Sequence, residues 1–210
     1  DKKNATIRLD SIPSKKADGK TASFTANLTW VAGDKELLGE SREHSFSMPG
    51  KDTLRIDITS TLTALKEEVV FGDTKEGTFA LRVDRTLRAK GPEAKATLVN
   101  SNGETNAKAW GKRADWAAYH GPDELGKPAV IAILDDPSSF RHPTHWHARD
   151  YGLLAANPFG IHDFEKLKDK KAGNQILKPG ESTTLKYTVI IHHGTLESAG
   201  LDSINKSLGK

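Results

Sequence analysis

The sequence predicts an all-β protein, a large antiparallel β-sandwich of the jelly-roll or supersandwich type with a short C-terminal helix. Segments in which apolar and polar residues alternate recur along the chain, and this pattern is typical of strands with one face in water. Gly or Pro separates most of these segments, as turns between strands require. The 210 residues suit a single domain, 1–210, which could itself be the C-terminal part of a larger one.

Three strands are expected in the first third of the chain. Residues 23–31 are rich in Thr and aromatic residues and lie between two glycines. Residues 35–48 form a long, mostly polar candidate strand that ends at a Pro-Gly pair. Residues 53–63 show the clearest alternation, because every second residue is mostly apolar while charged and hydroxyl residues occupy the other face.

Four further strands are expected in the rest of the chain. Residues 78–88 and 183–192 alternate in the same way. Residues 94–100 form a shorter strand that ends in a turn. Residues 128–135 are continuously apolar, which predicts a central strand covered on both faces.

Helix signals are weak by comparison. Residues 162–170 could form a short helix, and residues 196–208 follow Thr195, which is a suitable N-cap. No internal repeat and no low-complexity segment divides the sequence.

Composition and charge exclude several classes of function. The net charge of +3 is divided as +2 and +1 between residues 1–100 and 101–210, without the clustered basic stripe that is typical of nucleic-acid binding. The chain has no cysteine, so disulfides, thiolate nucleophiles and cysteine-ligated metals are excluded. No apolar run approaches the ~20 residues of a membrane-spanning helix. The chain begins with Asp1, and we expect a processed or truncated end from which a targeting segment has been removed.

The segment 140–160, FRHPTHWHARDYGLLAANPFG, gathers more hydrogen-bonding side chains than a core requires. In an extended strand, His145 and His147 project to the same side with Cα atoms about 6.6 Å apart, from the rise of ~3.3 Å per residue. Such a pair could hold a polar substrate without a metal, or bind one divalent metal ion, or simply face solvent. We expect a metal-free polar site. The metal alternative needs a third ligand, for which the candidates are Glu76, Asp150 and His192.

The residues after these histidines extend the same pattern. Arg149 comes two residues after His147, so in a strand it would project to the same side as the two histidines. Its guanidinium offers a rigid set of donors to carboxylates or hydroxyls. Asp150 could act as a general base, orient a histidine, or form a structural ion pair with Arg149. Glu76 lies in a charged turn and is a candidate carboxylate partner for the histidines, although such turn residues are commonly only solvated.

A second cluster surrounds two tryptophans. Trp110 and Trp116 flank Lys112 and Arg113, a combination that suits sugar recognition because aromatic faces pack on C–H surfaces while charged groups bind hydroxyls. The two tryptophans could equally be core anchors, since each buries a large apolar area. His192 ends the strand 183–192 and could reach the site or remain at its rim.

Several segments together resemble a bacterial family that is labelled "methane oxygenase PmoA" and is frequent in planctomycetes. The resemblance runs from about residue 23 to residue 193, and the segments that carry it are FGDTKEGTFALRV (71–83), AWGKRADW (109–116), RHPTHWHARDYGLLAANPFG (141–160) and the closing strand. It implies a β-sandwich that is periplasmic or extracellular and related to sugar processing. The methane-oxygenase label itself fits poorly, because a membrane subunit needs long apolar helices.

The chain departs from this family's pattern in two places. It lacks an upstream Pro-His-His-Arg-Gly motif, and Asp135-Asp136-Pro137 stands where the family tends to have Asp-His-Pro. If the upstream segment contributes strands, sheet edges are left open. We therefore expect a partner chain, an N-terminal fragment or a homo-oligomer to cover them.

These observations lead to a carbohydrate-active protein that carries out hydrolysis or elimination on a sugar or glycoside. We expect His145, His147, Asp150 and Glu76 to be catalytic. We expect the substrate to be bound by a wider set of residues: Trp110, Lys112, Arg113, Trp116, Arg141, Arg149, Tyr151 and His192. The alternatives are a non-catalytic carbohydrate-binding or surface-assembly module, and a cupin-style metal-dependent oxygenase or isomerase.

Overall fold

The computed structural model describes residues 5–209 and shows an antiparallel, strand-rich fold. Its strands are, in chain order, β1 (Thr6–Ala17), β2 (Thr21–Ala32), β3 (Lys35–Gly50), β4 (Thr53–Ala64), β5 (Val69–Phe71), β6 (Phe79–Arg82), β7 (Thr97–Asn100), β8 (Trp116–Pro122), β9 (Pro128–Asp135), β10 (His145–Trp146), β11 (Leu153–Asn157), β12 (Gln175–Leu177) and β13 (Ser182–His193). Eight of them form one sheet in the order β1-β2-β3-β4-β13-β9-β8-β7. This main sheet is joined by a three-stranded sheet, β10-β11-β6, and a two-stranded sheet, β12-β5. The predicted β-sandwich class is confirmed.

Both faces of the main sheet carry a hydrophobic core. On one face, alternate residues of β13 such as Leu185 and Val189 pack against the two small sheets. On the other face, Ile190 and its neighbours pack against the C-terminal helices. Strand β9 contributes to both cores, with Ile133 on one side and Leu134 on the other. The expectation that residues 128–135 are covered on both faces is confirmed.

The three-stranded sheet is fixed to the first core by one side chain above all. Trp146 is fully buried, and its indole N–H donates to the carbonyl of Ala114 over 2.8 Å. Because successive strand residues point to opposite faces, burial of Trp146 sends its two histidine neighbours to the outer face. The anchor therefore determines where the candidate site lies.

The helices are short. They are α1 (Ile161–Phe164), α2 (Leu196–Ala199) and α3 (Leu201–Ser207), and a 3₁₀ turn covers Asn106–Ala109. The C-terminal helix begins as predicted at Thr195, whose side chain accepts from the Ser198 N–H. It is interrupted at Gly200, which adopts φ +62° and ends α2 before α3 begins. Within residues 5–209, none of these helices has the length and apolarity needed to cross a membrane.

Several strand predictions need correction. The strand expected over 78–88 stops at Arg82, because Val83 instead donates its N–H to the carbonyl of Gly152 in a turn. The strand expected over 94–100 begins only at Thr97. Strand β1 shows no burial signal because its apolar residues Ile7 and Leu9 are about half exposed at the edge of the sheet. A partner that covers this edge stays a prediction.

Candidate functional site

His145, His147 and Arg149 lie on one face of the three-stranded sheet. Trp146 and Ala148 belong to the core beneath it, so the three polar side chains project outward, as the two-residue spacing predicts. The Phe164 ring lies over both imidazoles, with centroids 5.2 Å from His145 and 6.3 Å from His147. The two rings therefore meet under one aromatic cover and do not diverge.

This pair does not line an open hollow, contrary to the expectation from sequence. Only 2% of His145 and 3% of His147 is exposed. The Nε2 of His145 lies 3.2 Å from a carboxylate oxygen of Glu165, and the Nδ1 of His147 accepts from the Trp110 indole N–H over 3.2 Å. Phe164 and Trp110 therefore separate both imidazoles from solvent.

Burial also keeps both imidazoles neutral. Burial, with a contribution from the charge of Arg113, lowers the pKa of His145 to about 4. Burial and the neighbouring Arg149 lower the pKa of His147. Because the Nδ1 of a neutral His147 accepts a hydrogen bond, its proton must lie on Nε2. These are properties of histidines that hold a local structure together, and an exposed acid–base group would differ in each of them.

The predicted carboxylates lie at the margin of this pair. The side chain of Glu76 is 72% exposed, and its charge partly offsets the lowered pKa of His147. Asp150 faces Lys90, whose Nζ lies 4.0 Å away. It therefore forms no ion pair with Arg149, and neither carboxylate contacts an imidazole.

The aromatic and cationic residues of the prediction divide into two groups. Trp110, Arg149 and Tyr151 do lie together, since the Arg149 guanidinium carbon is 5.3 Å from the Trp110 ring centroid and 6.0 Å from that of Tyr151. Arg113 is nearby, 3.7 Å from Glu165, and donates to the carbonyl of Pro143. This group forms the outer surface around the two histidines.

Trp116 lies elsewhere, whereas the Lys112 backbone lies beside the histidine strand, where its carbonyl accepts from the Trp146 N–H. Trp116 packs in the core on the other side of the main sheet, where its indole N–H donates to Asp202 over 2.8 Å. The two tryptophans therefore do not form one sugar platform, because Trp116 is a core anchor. Lys112 is exposed, 3.9 Å from Glu104.

His192 and Arg141 are also occupied by structural contacts. His192 lies at the end of β13, where its two ring nitrogens contact the hydroxyls of Thr53 and Ser198 at 2.9 and 2.8 Å. The Arg141 guanidinium donates to three backbone carbonyls, those of Pro158, Gly173 and Asn174. Both side chains hold loops in place.

The three candidate third ligands of a metal are thus dispersed. Glu76 lies at the rim, Asp150 faces a lysine, and His192 is at the end of another sheet. Over residues 5–209, no group of three or more His, Cys, Asp or Glu side chains is arranged to hold a metal ion.

Two polar residues of the quoted segments stabilise the loops around the site. The side chain of Asp73 is fully buried and accepts from the backbone N–H groups of His162 and Gly173, the latter over 2.6 Å. Asn157 donates to the carbonyl of Thr74 and accepts from the N–H groups that follow it in the Pro-Phe-Gly turn. The dense polar pattern of these segments is therefore explained partly by loop connections.

A cleft that the sequence did not reveal lies between the main sheet and the small sheets. Its volume is about 530 Å³, within the range of ligand sites. Neither His145 nor His147 lines it, whereas Glu76 does. Its main polar and aromatic lining comes from residues far apart in the sequence: Trp30, Arg42, His44, Ser60, Phe79 and Tyr187.

A buried carboxylate organises this cleft. The side chain of Glu40 is 1% exposed and accepts four hydrogen bonds. Two come from Arg42, at 2.7 and 2.8 Å, one from the Ser60 hydroxyl at 2.6 Å and one from the Trp30 indole at 2.8 Å. Burial alone would raise the pKa of Glu40, but these four donors outweigh it and hold the pKa below its usual value.

Aromatic rings form a further part of the cleft walls, together with aliphatic residues such as Ile58 and Leu185. Phe79 stacks on Tyr187 with centroids 5.1 Å apart, and His44 stacks on Phe24 at 4.6 Å. Burial, helped by the charge of Arg42, lowers the pKa of His44. One signal in the sequence could have revealed this site: strand 35–48 is polar on the face that should meet the core.

A family model matches residues 1–205. The chain belongs to a family of unknown function, DUF6807. No curated protein matches this DUF6807 chain. Among solved structures it is similar to a putative aldose 1-epimerase from Escherichia coli K12, at 11% identity and a TM-score of 0.38, over 90% of this chain and 69% of that one.

The two parts of the DUF6807 chain differ in what they can do. The histidine pair is closed, neutral and hydrogen-bonded, so it suits a structural role. The cleft is open to a ligand, and its lining includes several aromatic rings and the Arg42 guanidinium, which Glu40 holds in place. The cleft is therefore the better candidate for a functional site.

Proposed function

We propose that this protein binds a saccharide in the 530 Å³ cleft. The observation that carries the proposal is the Arg42 guanidinium, which the buried Glu40 holds in one orientation in a cleft that is partly lined by aromatic rings. Ligand sites combine mostly apolar walls with a few well-placed polar groups, and this cleft has that composition.

Arg42 is the residue that would contact the ligand. Its Nε and one Nη donate to Glu40, which leaves hydrogens of the other Nη for an acceptor in the cleft. The Arg42 side chain is one-third exposed, so it remains within reach of such an acceptor. Neighbouring hydroxyls of a sugar suit the planar geometry of a guanidinium.

The aromatic walls supply the second half of the recognition. Sugar rings have C–H faces that pack on aromatic rings, and Trp30, Phe79 and Tyr187 all line the cleft. The Phe79–Tyr187 stack is fixed because Tyr187 is buried in the core. A rigid aromatic wall binds with a small loss of side-chain entropy.

Binding is favoured over glycoside hydrolysis by the state of the carboxylates. Hydrolysis normally needs one carboxylic acid that can give its proton to the leaving group. Two glutamates, Glu40 and Glu76, line the cleft. The lowered pKa and four donors of Glu40 keep it ionised, so it positions Arg42. Glu76 lies at the rim, where its side chain is 72% exposed. The expected hydrolysis or elimination at His145 and His147 lacks an open site.

Export to the periplasm or the cell surface stays a prediction.

The test compares two conservative variants by calorimetry with a panel of neutral oligosaccharides. Arg42→Lys keeps the positive charge but loses the planar guanidinium with its fixed donors. It should weaken binding at least tenfold. Arg55→Lys is the matched control, because Arg55 pairs with Asp57 two residues away on β4 but does not line the cleft. It should stay within twofold of wild type.

Two results would overturn this proposal. One is that no saccharide binds the wild-type protein at millimolar concentration, and the other is that the two variants lose affinity equally. Mass spectrometry of the incubated ligand separates binding from turnover. If Arg42-dependent cleavage products accumulate, the protein is an enzyme and the binding role is wrong.

A further inference from the structure

Three arginines surround the turn that joins β10 to β11, and within residues 5–209 none has a carboxylate within 4.0 Å. Arg82 ends β6, Arg88 packs over the turn, and Arg149 begins it. Surface arginines elsewhere in the chain do find partners, as Arg85 does with Glu93 at 3.1 Å. The cluster is thus a local excess of positive charge.

Tyr151 lies at the centre of this cluster. Its side chain is exposed, and the guanidinium carbons of Arg82 and Arg149 lie 5.7 and 6.0 Å from its ring centroid. Arg149 also lies over Trp110. The two guanidiniums and the exposed Tyr151 ring therefore lie on one surface.

The backbone fixes the spacing of the two outer cations. Arg82 pairs with Leu153 on one side of β11, and Arg149 pairs with Leu153 on the other. Two strand spacings separate their backbones by about 10 Å. Gly152 adopts φ +104° in the turn, and the side chain of Arg88 packs against its backbone, where a Cβ would lie 3.0 Å from Arg88 Cγ. The turn is thus held closely by the cluster.

Two donors in this cluster are buried and unused. The Nε atoms of Arg88 and Arg149 are inaccessible to solvent and donate to no acceptor in the described chain. A ligand cannot reach these two atoms, so a bound carboxylate would use the terminal nitrogens of the guanidiniums. The Arg149 guanidinium lies beside the exposed Tyr151 ring, where such a carboxylate could approach.

We propose that the surface formed by Arg82, Arg149 and Tyr151 binds the carboxylate groups of an acidic polysaccharide. Unpaired guanidiniums recognise carboxylates through parallel hydrogen bonds. The exposed ring between them packs on the sugar that carries the charge. The choice of a saccharide as the carrier rests on the proposed function, whereas the anion recognition rests on this cluster alone.

This surface is distinct from the cleft, although the two share a strand. Phe79 and Ala80 of β6 line the cleft, and Arg82 follows two residues later on the same strand. A chain of sugars that leaves the cleft over β6 would meet Arg82 next. The surface would therefore extend the binding of a polymer and would not replace the cleft.

The test measures binding of polygalacturonate to the immobilised protein at low and high salt, with dextran as the neutral polymer. Arg82→Ala and Arg149→Gln should each weaken polygalacturonate binding at least tenfold, and Tyr151→Ala should weaken it several-fold. Arg85→Ala is the matched control, since it removes the same charge from a paired arginine nearby. It should change binding less than twofold, and dextran binding should be insensitive to the changes at Arg82 and Arg149.

Three outcomes would overturn the inference. Equal loss in Arg85→Ala would show that only net charge matters. Equal, Arg82-dependent binding of single-stranded DNA would show that the polymer class is wrong. Absence of polygalacturonate binding at low salt would show that this surface is not a binding site.

The Arg42→Lys variant separates the two sites. Retained polygalacturonate binding in that variant supports an independent surface even if the cleft binds no sugar, and its loss assigns the anion to the cleft.

Discussion

Replacing Glu40 by Gln tests the network that organises the cleft. The carboxylate is 1% exposed and accepts from Arg42 twice, from Ser60 and from Trp30. Gln retains the shape but has only one acceptor oxygen, and its amide directs two hydrogens toward donors. About two of the four donors therefore lose their acceptor, and Arg42 loses its counter-charge.

The expected cost follows from these contacts. A hydrogen bond to a charged group contributes about 1.5–3 kcal/mol, and removing one partner of a buried ion pair costs about 3–5 kcal/mol. Arg42 is one-third exposed and can regain water, which reduces the cost. We expect Glu40→Gln to lower the free energy of unfolding by about 2–4 kcal/mol at pH 7.

The pH dependence identifies the cause. The pKa of Glu40 is lower in the folded protein than in the unfolded chain, so its stabilisation is present above the usual glutamate pKa and is lost as the pH falls through the folded value. Urea unfolding of both proteins at several pH values between 7 and 3 should show the difference shrinking in acid. Glu67→Gln is the control, because its pair with Lys35 is exposed, and it should match wild type. The reasoning fails if Glu40→Gln also matches wild type, or if its deficit is independent of pH.

Three further changes in stability can be measured in the same way. His145 has its pKa lowered to about 4, so the unfolded chain takes up the proton first, and wild type should lose about 3 kcal/mol between pH 6.5 and 4 that His145→Gln does not lose. Burial raises the pKa of Asp135 to about 6, so its ionisation favours the unfolded chain, and Asp135→Asn should gain about 1–3 kcal/mol over wild type as the pH rises from 4 to 7. Trp116→Phe removes the bond to Asp202 and should cost about 1–3 kcal/mol at pH 7. A pH-independent difference in either of the first two, or an unchanged midpoint in the third, would contradict the corresponding reasoning.

The fold could be predicted where burial alternates. The strands over 53–63 and 183–192 can be predicted because they lie centrally in the main sheet, where alternate residues such as Leu62 and Leu185 pack in the core against the small sheets. Strand β1 was not found because it lies at the sheet edge and is exposed on both faces. Strand β8 gives no alternation because its first four residues, 116–119, are all buried. Alternation in the sequence reveals a strand only when one of its faces is buried and the other is not. β1 is almost wholly exposed and the first half of β8 is wholly buried, so neither strand alternates.

The candidate site could be predicted only in part. The two-residue spacing predicts that His145, His147 and Arg149 lie on one face, because the direction of a strand side chain depends on neighbouring residues alone. The enclosure of the histidines depends on Phe164, which follows 17 residues after His147 and reaches them through a loop. The cleft depends on β2, β3, β4 and β13 lying side by side, and no local pattern gives that order.

The position of the histidines makes their mutation a poor test of catalysis. His145 and His147 connect the outer face of the three-stranded sheet to Glu165 and to Trp110. The same sheet supplies Phe79 to the cleft and carries Arg149 outside. Removing an imidazole would therefore leave the covering Phe164 ring without support and shift both surfaces, so binding would weaken without any contact between histidine and ligand. His145→Gln can keep a donor toward Glu165, and if it retains ligand affinity where His145→Ala loses it, the histidine is a positioning residue.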